Sequence, residues 1–273
     1  MNKYEKIAYA VADSVKSQQI YSFLKRSSFI DIEQQESTSD IDLLLVIGGD
    51  GFMLHSLHNY VIGNGIPVYG ISYGTVGFLL NKPLEETGVL LNDSLEGNLV
   101  QHINKAVPTE LTLLEMEATD VNGQGYRSVA INEVSLFRKT NRVVHIKIII
   151  NNKLRMEKLV GDGIMLSTPA GSTAYNFSAG GSILPLNSNL FALTPINPFR
   201  PRRWRGALLS DDDLVELEII DPQNRSVTIV SDYTEFHNIL RVKVYKNLNK
   251  QIILLFDYDH SLDERIFNEQ FLF

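Results

Sequence analysis

The first hundred residues alternate short apolar runs with amphipathic segments. Apolar runs at 6–12, 43–47 and 66–71 are bounded by polar residues or glycine, and the run at 43–47 is continuous enough for a strand buried on both faces. Apolar residues recur at roughly helical spacing from Ser14 to residue 25, and a further helix is predicted over residues 83–95. Strands that alternate with helices predict an α/β domain with a parallel sheet.

The rest of the chain is dominated by strand-like segments joined by hairpin turns such as Asn122-Gly123 and Asn151-Asn152. The predicted strands cover residues 111–119, 126–137, 143–150, 154–160, 214–220, 226–230, 240–245 and 251–256. Because hairpins join antiparallel strands, we expect an α/β domain over 1–102 and a mostly antiparallel β domain over 103–256. The tail 257–273 includes a predicted helix or extended tail at 261–271 that could pack back on the first domain.

Composition narrows the class of protein. The chain has 273 residues, of which 44% are hydrophobic and 21% charged, as in an ordinary globular protein with two domains. A net charge of -7 argues against nucleic acid or an anionic membrane as the main partner. The absence of cysteine excludes disulfides and thiolate metal sites. No apolar segment is long enough to span a membrane, and the polar first residues leave no room for a secretory signal, so we expect a cytoplasmic protein.

The run at 43–47 leads into the turn Gly48-Gly49-Asp50-Gly51. Glycines at the carboxyl end of a parallel strand let backbone N–H groups approach a phosphate. A carboxylate among such amides would repel phosphate unless it has a task, so we interpret Asp50 as a general base, a magnesium ligand or both. The alternative is that Asp50 only caps the next helix. A second glycine-rich turn begins at Gly74, at the same predicted sheet edge.

The second informative stretch, residues 161–181, is rich in glycine, serine and threonine. Small and hydroxyl-bearing residues suit a ribose or phosphate ligand, because they donate hydrogen bonds without bulk. The alternative is an irregular surface loop. Thr168-Pro169, followed by small residues and Tyr175, instead indicates a fixed turn that opens a short helix.

Four motifs together resemble those of bacterial NAD kinases, in order and at that family's spacing: Gly48-Gly49-Asp50-Gly51, Asn132-Glu133, Gly161-Asp162-Gly163 and the run 167–176. The first motif alone also resembles lipid kinases and phosphofructokinases. The resemblance covers nearly the whole chain and implies an α/β amino-terminal domain, an antiparallel β-sandwich carboxyl-terminal domain and ligands between them. It also implies homodimers or homotetramers with sites completed by a neighbouring subunit.

The resemblance further implies a reaction and a role for individual residues. Asp50 would take the proton from the 2′-hydroxyl of the adenosine ribose of NAD, which then attacks the terminal phosphoryl of ATP or polyphosphate. Asn132 and Glu133 would bind the ribose hydroxyls, the alternative being two polar residues on an exposed strand edge. Asp162 would bind the nicotinamide riboside. The predicted substrate- and nucleotide-binding residues are Gly48, Gly49, Asp50, Gly51, His55, Gly74, Asn132, Glu133, Val160, Asp162, Thr173, Ala174, Tyr175, Asn176 and Ser178.

The resemblance implies a more specific role for some of these residues. Thr173, Ala174, Tyr175 and Ser178 would form the wall against the base. His55 is either a phosphate ligand or a surface histidine. A divalent cation, Mg²⁺ by preference, would enter with the phosphoryl donor, since no preformed protein cage is evident.

The chain departs from the family pattern at several positions. Phe52 replaces a frequent threonine, Val160 a basic residue and Ala170 a hydroxyl residue, while Tyr233 stands where many members have glycine. A dense basic cluster follows the fourth motif and is either a solvated loop, an anion-binding flap or a subunit contact; its members are Arg200, Arg202, Arg203 and Arg205.

Other function classes remain open from sequence. A nicotinamide-dependent oxidoreductase would need a G-x-G-x-x-G turn near the amino terminus, and Ala12-Asp13-Ser14 lacks it. A nucleotide-binding sensor without turnover would share these motifs. A lipid kinase is the nearest enzyme alternative, and the motif at 168–178 argues against it.

Overall fold

The computed structural model describes residues 3–73, 77–89, 94–258 and 271. The chain forms two compact units, Met1–Leu111 with Lys250–Phe273, and Thr112–Asn249. In chain order the strands are β1 (Ile7–Val11), β2 (Ile30–Asp31), β3 (Leu43–Gly48), β4 (Val68–Ser72), β5 (Val107–Leu111), β6 (Leu114–Asp120), β7 (Gly125–Ala130), β8 (Glu133–Arg138), β9 (Val144–Ile150), β10 (Lys153–Gly161), β11 (Gly163–Ser167), β12 (Leu190–Ile196), β13 (Ala207–Ser210), β14 (Val215–Ile219), β15 (Val227–Ser231), β16 (Thr234–His237), β17 (Ile239–Lys246) and β18 (Ile252–Phe256). The helices are α1 (Val15–Leu24), α2 (Asp50–Ser56), α3 (Leu84–Thr87), α4 (Leu95–Ile103) and α5 (Tyr175–Ser178).

The first unit is built on one six-stranded sheet, in the order β2-β1-β3-β4-β18-β5. All of its pairings are parallel except that between β18 and β5. Every residue of β3 is buried, as expected for a strand covered on both faces. The predicted α/β domain with a parallel sheet is confirmed, and the turn after β3 lies at the carboxyl edge of that sheet.

The helices follow local capping rules. Helix α1 begins after Ser14, whose hydroxyl accepts the Ser17 N–H at 3.2 Å. The helix predicted over residues 83–95 is wrong in extent, because α3 stops at Gly88, where the backbone is left-handed with φ of 78°. Helix α4 begins only where that prediction ended.

The second unit is a sandwich of two antiparallel sheets, ordered β10-β9-β14-β17-β6-β7 and β13-β12-β11-β8-β15-β16. The alternating pattern of β6, β9 and β14 places one face of each strand inward. Buried residues of both sheets form one continuous hydrophobic core. The expected antiparallel β-sandwich is therefore confirmed.

Two strand assignments are corrected. The strand predicted over 126–137 is two strands, because the chain leaves one sheet at Ile131 and enters the other at Glu133. Strand β18 was assigned to the β domain but pairs with β4 and β5 in the first unit. The predicted limits at 102 and 256 thus differ from the observed limits at 111 and 249. Four of the five β18 residues are fully buried, which suits a strand with a neighbour on each side.

Two predictions lie outside the described residues: Gly74 with the start of its turn, and the tail 261–271 except Phe271. Within the described part, no helix is long and apolar enough to cross a membrane.

Candidate functional site

In the first unit, Asp50 is the first residue of α2, directly after the end of β3. Gly49 is the N-cap of that helix, so the alternative that Asp50 is its cap is wrong. The Asp50 carboxylate instead accepts the Phe78 N–H at 2.8 Å and the Leu79 N–H at 3.1 Å, one on each oxygen. Backbone donors on both oxygens fix the orientation of the carboxylate.

The glycines around Asp50 differ in their surroundings. A Cβ on Gly48 would lie 3.0 Å from side-chain carbons of Ala12 and Phe52, so a side chain there would be crowded. A Cβ on Gly77 would lie 3.3 Å from Asp50 Oδ1. Gly51 is exposed and has open space around its Cα, so a ligand can approach its backbone. Further along the exposed side of α2, His55 Nε2 lies 2.7 Å from Asn59 Nδ2.

In the second unit, Asn132 and Glu133 lie where the chain changes sheets. The Asp232 carboxylate accepts the N–H groups of Ile131, Asn132 and Glu133 at 2.7, 2.9 and 3.2 Å. Asp232 sits in the tight turn between β15 and β16 with a φ of 53°, a conformation that aspartate tolerates better than most residues. The sequence prediction gave Asp232 no role, although an aspartate between two short strands is typical of a turn.

The side chains of Asn132 and Glu133 leave two acceptors unused. Asn132 Oδ1 and Glu133 Oε2 are buried and have no hydrogen-bond partner within the described part of the chain. Burial, and then the charge of Asp232, raises the pKa of Glu133 to about 8. Buried acceptors without donors are costly, so a ligand that supplies hydroxyl groups would be stabilised here.

The loop that follows β11 packs against residues 131–132, where the chain changes sheets. Thr168 N–H donates to the Asn132 carbonyl at 2.9 Å, and Thr168 Oγ1 donates to the Ile131 carbonyl at 2.6 Å. Gly171 N–H returns to Thr168 Oγ1 at 3.1 Å, and any Cβ on Gly171 would overlap the Asn132 carbonyl. The alternative of an irregular surface loop is wrong, because residues 168–172 are buried and hydrogen-bonded.

The short helix α5 divides its residues between surface and interior. Tyr175 is 41% exposed, and its ring lies 5.9 Å from that of Phe137. Ser178 is exposed, and Thr173 and Ala174 are half-buried. These side chains can face a ligand.

Asn176 differs from its neighbours in α5, because its side chain is fully buried. Its assignment to nucleotide binding stays a prediction. Its amide donates to the carbonyls of Ser172 and Ser182 at 3.1 and 3.0 Å, and its Oδ1 accepts from Thr194 Oγ1 at 2.6 Å. These bonds fasten the start of α5 to β12. The sequence does not reveal this, because Asn176 adjoins residues that are exposed.

Asp162 and Val160 lie at the end of β10. The Asp162 carboxylate accepts Arg138 Nε at 2.6 Å and Asn197 Nδ2 at 3.0 Å, and it is still 28% exposed. The Val160 side chain is buried, and its assignment as a ligand contact stays a prediction. Its backbone N–H instead donates to the Arg200 carbonyl at 2.8 Å.

All four arginines of the basic cluster are exposed. The guanidinium groups of Arg200 and Arg202 lie 5.1 and 5.5 Å from the Phe199 ring, which is 54% exposed. As for metals, no group of three or more histidine and acidic side chains within the described residues could hold an ion.

Comparison with known proteins gives the family. Residues 6–99 match the ATP-NAD kinase N-terminal domain, and residues 131–251 match the ATP-NAD kinase C-terminal domain. The chain is 44% identical over 259 residues to the NAD kinase of Rickettsia bellii, covering 95% of this chain and 94% of that protein. It is also 44% identical over 230 residues to the NAD kinase of Xanthomonas oryzae pv. oryzae, covering 84% and 85% of the two chains.

Two solved structures share the fold of this chain. Yeast NADH kinase complexed with NADH matches with a TM-score of 0.79 and 19% identity, over 98% of this chain and 87% of that chain. An NAD kinase from Archaeoglobus fulgidus in complex with ATP matches with a TM-score of 0.73 and 21% identity, over 97% and 98%. On the two domain matches and the identity across most of its length, this chain belongs to the NAD kinase family.

Proposed function

We propose that this chain phosphorylates NAD at the 2′-hydroxyl of the adenosine ribose, with ATP as donor, and so produces NADP. Within a chain of this family, the observation that carries the proposal is the pair of buried acceptors Asn132 Oδ1 and Glu133 Oε2, for which the described residues supply no donor. The vicinal hydroxyls of a ribose supply two donors at adjacent positions. NAD kinase is also the name of the relatives with high identity.

The proposed chemistry is an in-line phosphoryl transfer. The 2′-oxygen forms a bond to the terminal phosphorus of ATP, the bond from that phosphorus to the bridging oxygen breaks, and ADP leaves. The proton of the 2′-hydroxyl passes to the carboxylate of Asp50. The N–H groups of Phe78 and Leu79 fix the orientation of that carboxylate toward the attacking hydroxyl.

The remaining polar groups serve to bind rather than react. Backbone N–H groups of Gly49 and Gly51 bind phosphate, which the open space at Gly51 supports. The exposed ring of Tyr175 stacks on a base, and Thr173, Ala174 and Ser178 complete that wall. Asp162 binds the nicotinamide riboside while it remains paired with Arg138.

We further propose that a divalent cation, Mg²⁺ by preference, binds as part of the ATP substrate. When bound, the ion neutralises phosphate charge and aligns the transferring group. The described residues offer no cluster that could hold an ion unaided, so Asp50 would share an ion already bound to phosphate. Polyphosphate would be an alternative donor. A homodimer or homotetramer is also proposed, with the exposed Phe199 among the arginines as a candidate contact.

The test is to incubate the purified chain with NAD, ATP and Mg²⁺ and to measure NADP. NADP should form, and an NAD analogue that lacks the 2′-hydroxyl should bind without consuming ATP. Binding of NAD without any NADP would identify a nucleotide sensor instead. ATP consumption with the 2′-deoxy analogue at the rate seen with NAD would place the attack on another atom.

A further inference from the structure

The segment Phe78–Asn81 links Asp50 to strands β4 and β18 of the first sheet. Its first two residues supply the N–H groups that hold the Asp50 carboxylate, at 2.8 and 3.1 Å. Its third residue, Leu80, is fully buried, and a Cβ on Gly70 would approach the Leu80 side chain to 2.5 Å. The segment is therefore packed onto the sheet and has little freedom to slide.

Asn81 anchors the end of this segment to two strands at once. Its N–H donates to the Gly70 carbonyl at 2.8 Å, and its carbonyl accepts the Ser72 N–H at 3.0 Å, as if it were a short extension of the sheet. Its side chain is fully buried, with Nδ2 donating to the Leu255 carbonyl and Oδ1 accepting the Asp257 N–H, both at 2.9 Å. An asparagine amide is suited to this place because it pairs with one donor and one acceptor together.

Asp257, which follows β18, is fixed in turn by two other elements. Its buried carboxylate accepts the Tyr69 hydroxyl at 2.5 Å and lies 2.8 Å from His102 Nε2 on α4. The Tyr69 and His102 rings meet edge to face at 6.3 Å. The orientation of the Asn81 amide thus depends on β18, β4 and α4 together.

We propose that Asn81 is a positioning residue for Asp50, and this inference rests on the proposed function. Asn81 acts on Asp50 through the backbone of Phe78 and Leu79. Without the Asn81 amide, the end of the segment loses two of its four hydrogen bonds, so the two N–H groups and the Asp50 carboxylate are held less firmly. Misplacement of a reacting group by about 1 Å can cost about 10²-fold in rate.

The test compares Asn81→Ala with the parent for NADP formation and for NAD affinity. We expect kcat to fall by about tenfold to a hundredfold, while NAD affinity measured by calorimetry stays within about twofold. Asn247→Ala is the matched control, since Asn247 is also a buried asparagine, but it bonds Glu115 in the second unit. The control should lower the melting temperature and leave kcat unchanged. If Asn81→Ala does not fold, the milder Asn81→Ser, which keeps one polar oxygen, takes its place.

A double-mutant cycle separates positioning from general destabilisation. In an Asp50→Asn background, Asn81→Ala should cost little further rate, because the group that it positions is already inactive. A full tenfold loss in that background, or an unchanged kcat in the folded single variant, would overturn the inference. A parent that forms no NADP would instead refute the proposed function itself.

Discussion

Asp232 and Glu133 are joined by two hydrogen bonds, one to the Asp232 side chain and one between their backbones. The Asp232 carboxylate accepts the Glu133 N–H at 3.2 Å, and the Asp232 N–H donates to the Glu133 carbonyl at 3.0 Å. A second negative charge is thereby held close to a buried acid. The pair therefore controls both the shape and the protonation of the candidate ribose site.

Stability should depend on pH through Glu133. Its pKa in the folded chain is raised from the ordinary 4.5 to about 8, by burial and then by Asp232. Between these values the folded state keeps a proton that the unfolded state has lost, so the free energy of unfolding falls as the pH rises. Denaturant titrations at about pH 5 and about pH 8 should show a larger loss in the parent than in Glu133→Gln. Equal losses would contradict the raised pKa.

NAD affinity should also depend on pH, in the opposite direction. Ribose hydroxyls that donate to Glu133 favour its ionised form, so binding should release a proton and tighten as the pH rises towards 8. Calorimetry in buffers of different ionisation enthalpy measures this release. Glu133→Gln should release no proton and bind NAD more weakly by about 1 to 3 kcal/mol. Unchanged affinity in that variant would remove Glu133 from the site.

Asp232→Asn should damage the site without touching a ligand-binding side chain. The amide has one acceptor oxygen for three N–H groups, so we expect a loss of about 1 to 3 kcal/mol in stability and weaker NAD binding. Asp120→Asn is the control, since Asp120 accepts the N–H groups of Asn122 and Gln124 in a turn elsewhere. The control should keep parental NAD affinity. Parental affinity in Asp232→Asn as well would show that this carboxylate does not shape the site.

The fold was predictable where the apolar pattern is local. The strand at 43–48 is buried throughout, and the hairpin at Asn151-Asn152 has the two positive φ angles, 51° and 61°, that its sequence indicates. Strand β18 was not predictable, because its partners β4 and β5 are distant in sequence. The sheet change at Ile131–Asn132 was missed for a similar reason, and no glycine or proline between residues 126 and 137 marks it.

The candidate site was likewise predictable where its residues form local motifs, and not where they depend on distant contacts. The motif residues could be named from sequence, but the roles of Asn176 and Asp232 depend on side-chain contacts with residues far along the chain. Asn81 carries no sequence signal, because its function as an anchor appears only when β18 lies beside β4.

The most direct test of the account is the rate of NADP formation by Asp50→Asn, measured beside its affinity for NAD. The asparagine cannot accept a proton near neutral pH, and it can accept only one of the N–H groups of Phe78 and Leu79. We predict a fall of about 10² to 10⁴ in kcat, near-parental NAD affinity and a modest loss of stability. Near-parental turnover with a lowered melting temperature would contradict the account, because Asp50 would then be a structural turn residue and not the base.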